Sequence, residues 1–166
     1  MPWGGRRPGA GRKPADPKRP NMHHRARPPH SPKVPSHVVL RRAKGLPSMR
    51  SARIVELLRE TSELVSGDSR DDFRVLFVGA QADRVHLVVE ADSTEAMTRG
   101  MSSFTIRVAR QFNKATGRSG QVWDDRYRDR ALETLEELEE ALASFTTAPD
   151  EAAIVAKPKT ALAKKL

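Results

Sequence analysis

Apolar, β-branched positions first gather in Ser36-His37-Val38-Val39-Leu40-Arg41, directly after Pro35, and so short a run predicts a strand. Gly45, Pro47 and Ser48 then mark a turn. Beyond it Ile54, Leu57, Leu58, Thr61 and Leu64/Val65 recur at helical spacing, with Arg53, Glu56, Arg59, Glu60 and Glu63 on the other side. That pattern predicts an amphipathic helix from about Ser51 to Val65. Phe73-Arg74-Val75-Leu76-Phe77-Val78 is apolar on both faces in its second half, as an inner strand is. By simple alternation Phe73 and Phe77 share the core face. Ala80-Gln81-Ala82-Asp83 is short enough for a hairpin connection to a further strand, Arg84 to Glu90.

Ser93 or Thr94 can cap the next helix, with Glu95 and Asp92 near its positive end. Met97, Met101, Phe104, Val108 and Phe112 then step by four, three, four and four residues and form one buried stripe. Arg99, Arg107, Arg110, Lys114 and Arg118 fall on a different face, and Gly117 and Gly120 close the helix. A last strand is expected within Gln121 to Ala131. The acidic run Thr134 to Leu142 reads as a helix opened by a capping box, Thr134 with Glu137. The order β-α-β-β-α-β-α predicts an α+β domain, a ferredoxin-like antiparallel sheet with helices packed on one face.

Charge changes the picture at the ends. Residues 1–36 hold Arg6, Arg7, Arg12, Lys13, Lys18, Arg19, Arg25, Arg27 and Lys33 against Asp16 alone, so they supply most of the net charge of +9. Rich in Pro and Gly and poor in aliphatic residues, this arm is expected to be disordered. Its Gly5-Arg6-Arg7-Pro8-Gly9-Ala10-Gly11-Arg12-Lys13-Pro14 is a loose relative of an AT-hook without the Arg-Gly-Arg-Pro centre. Flexible Arg and Lys side chains suit a narrow minor groove, and a purely electrostatic tail is the alternative; both bind phosphates. The ordered domain is expected over 37–148, with a flexible Lys/Ala tail over 149–166. There is no cysteine, which excludes disulfides, zinc-thiolate sites and a thiol nucleophile. No apolar run has the length of a membrane span or the character of a signal peptide, so a cytoplasmic protein without a membrane partner is expected.

Chemistry centres on the strand beginning at Arg84. Alternation puts Asp83, Val85, Leu87 and Val89 on one face and Arg84, His86, Val88 and Glu90 on the other. A lone histidine on a strand is ordinarily structural. Three runs set it in a wider frame: Leu40-Arg41-Arg42-Ala43-Lys44-Gly45-Leu46-Pro47-Ser48, then Gln81 to Ala91, then Gly120-Gln121-Val122-Trp123-Asp124-Asp125-Arg126-Tyr127. In content and order they resemble the REP-associated tyrosine transposases, relatives of the insertion-sequence-200 transposases, over roughly residues 30–145.

The resemblance implies a DNA partner, single-stranded or hairpin, and allows a homodimer. It implies two histidines at i and i+2 of a strand around Mg²⁺ or Mn²⁺, and a tyrosine nucleophile on the last helix. Here only His86 matches, because the other histidine position is Arg84, whose guanidinium cannot ligate a cation. The nucleophile position aligns with Ser144 and the metal-completing one with Ala148, and no tyrosine occurs after Leu132. The single Tyr127 is an alternative nucleophile, although between Arg126 and Arg128 it also suits base stacking, and Ser144 is a lesser one, with no general base near it in sequence. Impaired or lost cleavage is therefore expected, with a divalent metal only if activity remains. The expected DNA contacts are Arg6, Arg7, Arg12, Lys13, Arg41, Arg42, Arg99, Arg107, Arg110, Lys114, Arg118, Trp123 and Arg126. The histidines of the arm, His23, His24 and His30, are read as incidental. Two alternatives stay open: a non-enzymatic regulatory or RNA-binding module, and a structural domain with solubilising ends.

Overall fold

The computed structural model describes residues 30–67, 71–145, 153–154 and 159–165. The chain runs β1 (Ser36–Arg41), α1 (Ala52–Gly67), β2 (Phe73–Ala80), β3 (Arg84–Ala91), α2 (Thr94–Ala115), β4 (Arg128–Ala131), α3 (Leu135–Phe145), the two-residue β5 (Ala153–Ile154) and a 3₁₀ turn, Ala163–Lys165. The strands pair antiparallel in the order β4-β1-β3-β2-β5. Its first four strands, with α1 and α2 as crossovers, form the expected ferredoxin-like sheet.

Both crossover helices lie on one face, for the reason their periodicity gives. Ile54, Leu57, Leu58 and Val65 of α1 and Met97, Met101, Phe104, Val108 and Phe112 of α2 are buried against Val38, Leu40, Val75, Val85, Leu87 and Val89 of the sheet. Each such side chain contributes about 1.5–3 kcal/mol by leaving water. Ser93 caps α2, its hydroxyl accepting from the Ala96 N–H at 3.1 Å, and Gly117 and Gly120 take positive φ after its end. Gly100 lets the two layers close: a Cβ there would lie 2.2 Å from Cγ of Phe73.

The third helix departs from the expected arrangement by packing on the other face. Leu138, Ala141 and Phe145 form its apolar stripe and meet Leu76, Val88 and Leu132 in a second, smaller core. The physical reason lies in β2 and β3, which carry apolar side chains on both faces and leave Leu76 and Val88 to be covered. A bulge in β2 shifts the register between Val75 and Phe77. It carries Phe77 to the second core and returns Val78 to the first, so Phe73 and Phe77 do not share a face. The capping box opens α3 as expected: the Glu137 N–H donates to the Thr134 hydroxyl at 3.1 Å, and the Thr134 N–H to the Glu137 carboxylate at 3.3 Å.

Part of each expected flexible end is held in place. His30 Nε2 lies 2.9 Å from the Ala91 carbonyl, and its backbone N–H donates to the Thr94 hydroxyl at 3.0 Å. Near the other end, the N–H groups of Lys159 and Thr160 donate to the buried Glu90 carboxylate at 2.8 and 2.7 Å, and Ala163 joins the second core. No helix among the described residues is long and apolar enough to cross a membrane.

Candidate functional site

The face under α3 is where the polar side chains of the strands collect. Val85, Leu87 and Val89 enter the first core, so Arg84 and His86 share the opposite face, as the alternation predicts. The neighbouring strand supplies a residue that the sequence reading did not assign. Val39 pairs with His86 and His37 with Val88, so His37 sits diagonally beside His86 on the same face. His37 Nε2 lies 3.1 Å from His86 Nδ1, and the rings stack with centroids 5.4 Å apart. Phe145 covers both at 5.0 and 5.2 Å. Gly79, opposite His86 on β2, makes room for that ring, since a Cβ there would lie 2.8 Å from Phe145 Cβ.

Burial sets the charge state of this pair. His37 is pushed down to about 4, first by desolvation and then by His86 and Arg130. His86 is lowered by desolvation and by Arg84, against a smaller opposing effect of Asp83. Two neutral rings can share one N–H···N bond, which uses His86 Nδ1 and leaves Nε2 buried without a partner. An unpaired buried group of this kind costs about 1–3 kcal/mol.

The donor set does not fit a divalent ion. Arg84 puts a permanent cation two residues from His86, and His37 spends Nε2 on its neighbour. Among the described residues no group of three or more His, Asp or Glu is assembled to hold a metal. Nor do the two residues weighed as nucleophiles meet His86. Tyr127 packs against the first core, on the far side of the sheet. The Ser144 hydroxyl donates to the Ala141 carbonyl of its own helix at 2.6 Å, and it is the next residue, Phe145, that faces the histidines. Ala148, aligned with the metal-completing position, lies outside the described residues.

The expected DNA contacts separate into groups. Arg6, Arg7, Arg12 and Lys13 lie outside the described residues. Trp123 is half-buried against the first core, bridges to Arg42 in the backbone and donates its indole N–H to the Thr105 carbonyl at 3.0 Å. Arg42 ties down the carbonyls of Ala82 and Ala43 at 2.9 and 3.2 Å. On α2, Arg99 pairs with Asp72 at 2.7 Å, Arg107 donates to Ser103 at 3.2 Å and Arg118 to Asn113 at 3.0 Å, while Arg110 and Lys114 are exposed. Arg126 is also exposed. Because α2 packs on the other face, its basic stripe does not join the histidine pair. Arg41 does share their face, opposite Arg84 in the register.

A search of solved structures relates this architecture to known proteins. The chain superposes on a REP-associated tyrosine transposase bound to a REP hairpin with a TM-score of 0.52 at 14% identity, covering 72% of this chain and 67% of that one. The fold is transposase-like. A Deinococcus radiodurans protein assigned as a transposase follows at TM-score 0.47 and 12% identity, over 70% of this chain and 93% of that one. The tRNA(His) guanylyltransferase of Saccharomyces cerevisiae gives 0.48 at 13% identity, over 69% and 57%. No protein-family model matches the chain, and no curated protein does. His37, Gly79 and Phe145 are the site residues that sequence reasoning missed. The available signal was the alternation of His37, Val39 and Arg41 on the non-core side of the first strand.

Proposed function

We propose that this chain binds DNA, single-stranded or folded into a hairpin, as a relative of the insertion-sequence-200-like transposases that has lost strand cleavage. The observation carrying the DNA partner is the shared fold with a transposase bound to a REP hairpin, joined to the ordered motif series in the sequence. Loss of cleavage rests on the site chemistry: a lone histidine pair, a cation at residue 84, and a phenylalanine without a hydroxyl over His86.

The test incubates the purified chain with Mn²⁺ and a panel of hairpin oligonucleotides. Retarded complexes on a native gel, with no covalent band on a denaturing gel, are the expected result. A covalent adduct would overturn the loss of cleavage, and its disappearance in Tyr127→Phe would name the nucleophile. Failure to retard any DNA, or a stronger hold on matched RNA, would overturn the DNA partner. An RNA-directed module of this topology stacks bases on exposed sheet aromatics. Phe73 is buried in the first core and Phe77 packs on the second, which argues against that alternative.

A further inference from the structure

The register places five arginines on the histidine face: Arg74 of β2 lies opposite Glu90 and is ion-paired with it at 3.9 Å, and four others are exposed. Arg41 pairs with Arg84 at the ends of β1 and β3. Arg128 pairs with Val39 and Arg130 with His37 on β4, at the sheet's edge. Val38, which pairs with Asp129, is buried in the first core, so Arg128 and Arg130 point the other way, toward the histidines. All four arginines are exposed, and they border the buried pair on two sides. We infer that this face is a metal-independent phosphate site, in which Arg84, Arg41, Arg128 and Arg130 hold the backbone of one DNA strand along the exposed border of the His37–His86 pair.

Charge complementarity supports the occupant. Asp83 is shared between Arg84, at 3.4 Å, and Arg41, at 4.0 Å, so one carboxylate faces two guanidinium groups. Arg130 is felt by His37 and also by Glu137, whose carboxylate already accepts the N–H groups of Glu133 and Thr134. Neutral histidines leave the arginines as the cations of the face. Guanidinium offers the planar, paired N–H donors that phosphate oxygens take up. At residue 84, a side chain that disqualifies a metal site is well suited to the anion such a metal would have held.

The inference rests on the DNA-binding reading, and one experiment separates the two. The full chain is titrated with a fluorescein-labelled hairpin carrying single-stranded flanks, by fluorescence anisotropy over a salt series, in EDTA and in Mn²⁺. Arg84→Gln and Arg130→Gln are each expected to bind about tenfold more weakly. Each should also reduce the slope of log affinity against log salt by about 0.7 per lost phosphate contact. Arg84→Lys should keep the slope, and Mn²⁺ should change nothing. Arg53→Gln, exposed on α1 at the other side of the domain, serves as the control for a general loss of charge. Wild-type affinity and slope in the Arg84→Gln/Arg130→Gln double variant would overturn the site while leaving DNA binding intact. So would a requirement for Mn²⁺, or a slope lost equally in Arg84→Lys. Absence of binding by the unaltered chain would overturn the DNA reading and this site with it.

Discussion

Acidification is the most direct probe of the buried histidine pair. Both imidazoles have folded-state affinities for protons below the ordinary value, with His37 at about 4 against 6.5. The unfolded chain therefore binds more protons than the folded one between those values, and stability falls as pH drops through the window. It is fully present above about pH 6.5 and lost toward pH 4. At full strength the His37 shift amounts to ~3 kcal/mol. Water reaching the half-buried ring screens this to about 1–2 kcal/mol. The groups that face the pair are Arg84 on β3, Asp83 in the turn just before it, Arg130 on β4 and Phe145 on α3; of these only Asp83 favours the charged form, and weakly.

Urea unfolding followed by circular dichroism at stepped pH measures the effect, with His37→Val as the reference that cancels ordinary carboxylate titration. Between pH 7 and 4.5 the native chain should lose about 1–2 kcal/mol more than His37→Val, at an unchanged m-value. Two parallel curves would refute the reasoning. So would an NMR titration placing His37 near its ordinary value.

Three further outcomes follow from the packing. Gly100→Ala drives a methyl into the Phe73 ring, where Cγ lies 2.2 Å from the new Cβ, and should lose about 1–3 kcal/mol despite better helix propensity; thermal unfolding reads this, and Gly100→Ala/Phe73→Leu should recover part of it. Thr134→Ala removes the hydroxyl that accepts the Glu137 N–H and should cost about 1 kcal/mol in chemical denaturation. Glu90→Ala strands the Lys159 and Thr160 N–H groups, so tryptic cleavage at Lys164 and Lys165 should accelerate while the rest of the domain stays protected; unchanged cleavage would mean that Glu90 does not hold this segment.

The sequence yields elements more readily than neighbours. β1, α1, β3 and the α2 stripe are legible because each is specified by its own periodicity: Met97, Met101, Phe104, Val108 and Phe112 could be read as one buried face and are one. The position of α3 was not legible, since an apolar stripe says that a helix is covered and not by which side of the sheet. Phe77 was misplaced because one extra residue in β2 reverses every later side chain, and a bulge leaves no mark in an all-apolar run. His86 was found from alternation within one strand, whereas His37 is a diagonal neighbour through a pairing 49 residues apart. Phe145 likewise depends on Gly79 clearing the space opposite His86. The arginine border needed the register of β4 as well, because Arg128 and Arg130 pass in sequence for an ordinary exposed edge.

The two faces of the sheet differ in a way that packing alone does not account for. Toward α1 and α2 the central strands present only apolar side chains, Val38, Leu40, Val85, Leu87 and Val89, although the buried Thr61 hydroxyl of α1 also lacks a partner. Toward α3 the same strands present His37, Arg41, Arg84, His86 and Glu90. Glu90 has a structural use in holding the Lys159 and Thr160 backbone. His86 has none of comparable kind: it is 6% exposed, and its Nε2 goes without a partner. A valine or leucine at that position would extend the second core from Val88 and Phe145 and avoid the desolvation cost of about 1–3 kcal/mol. A domain that used this face only for stability would gain by the exchange. On the proposed DNA-binding reading, the buried imidazole beside Arg84 serves the strand held along this face, so His86→Val should leave the fold as stable or more so in urea unfolding while altering retention of hairpin DNA on a native gel.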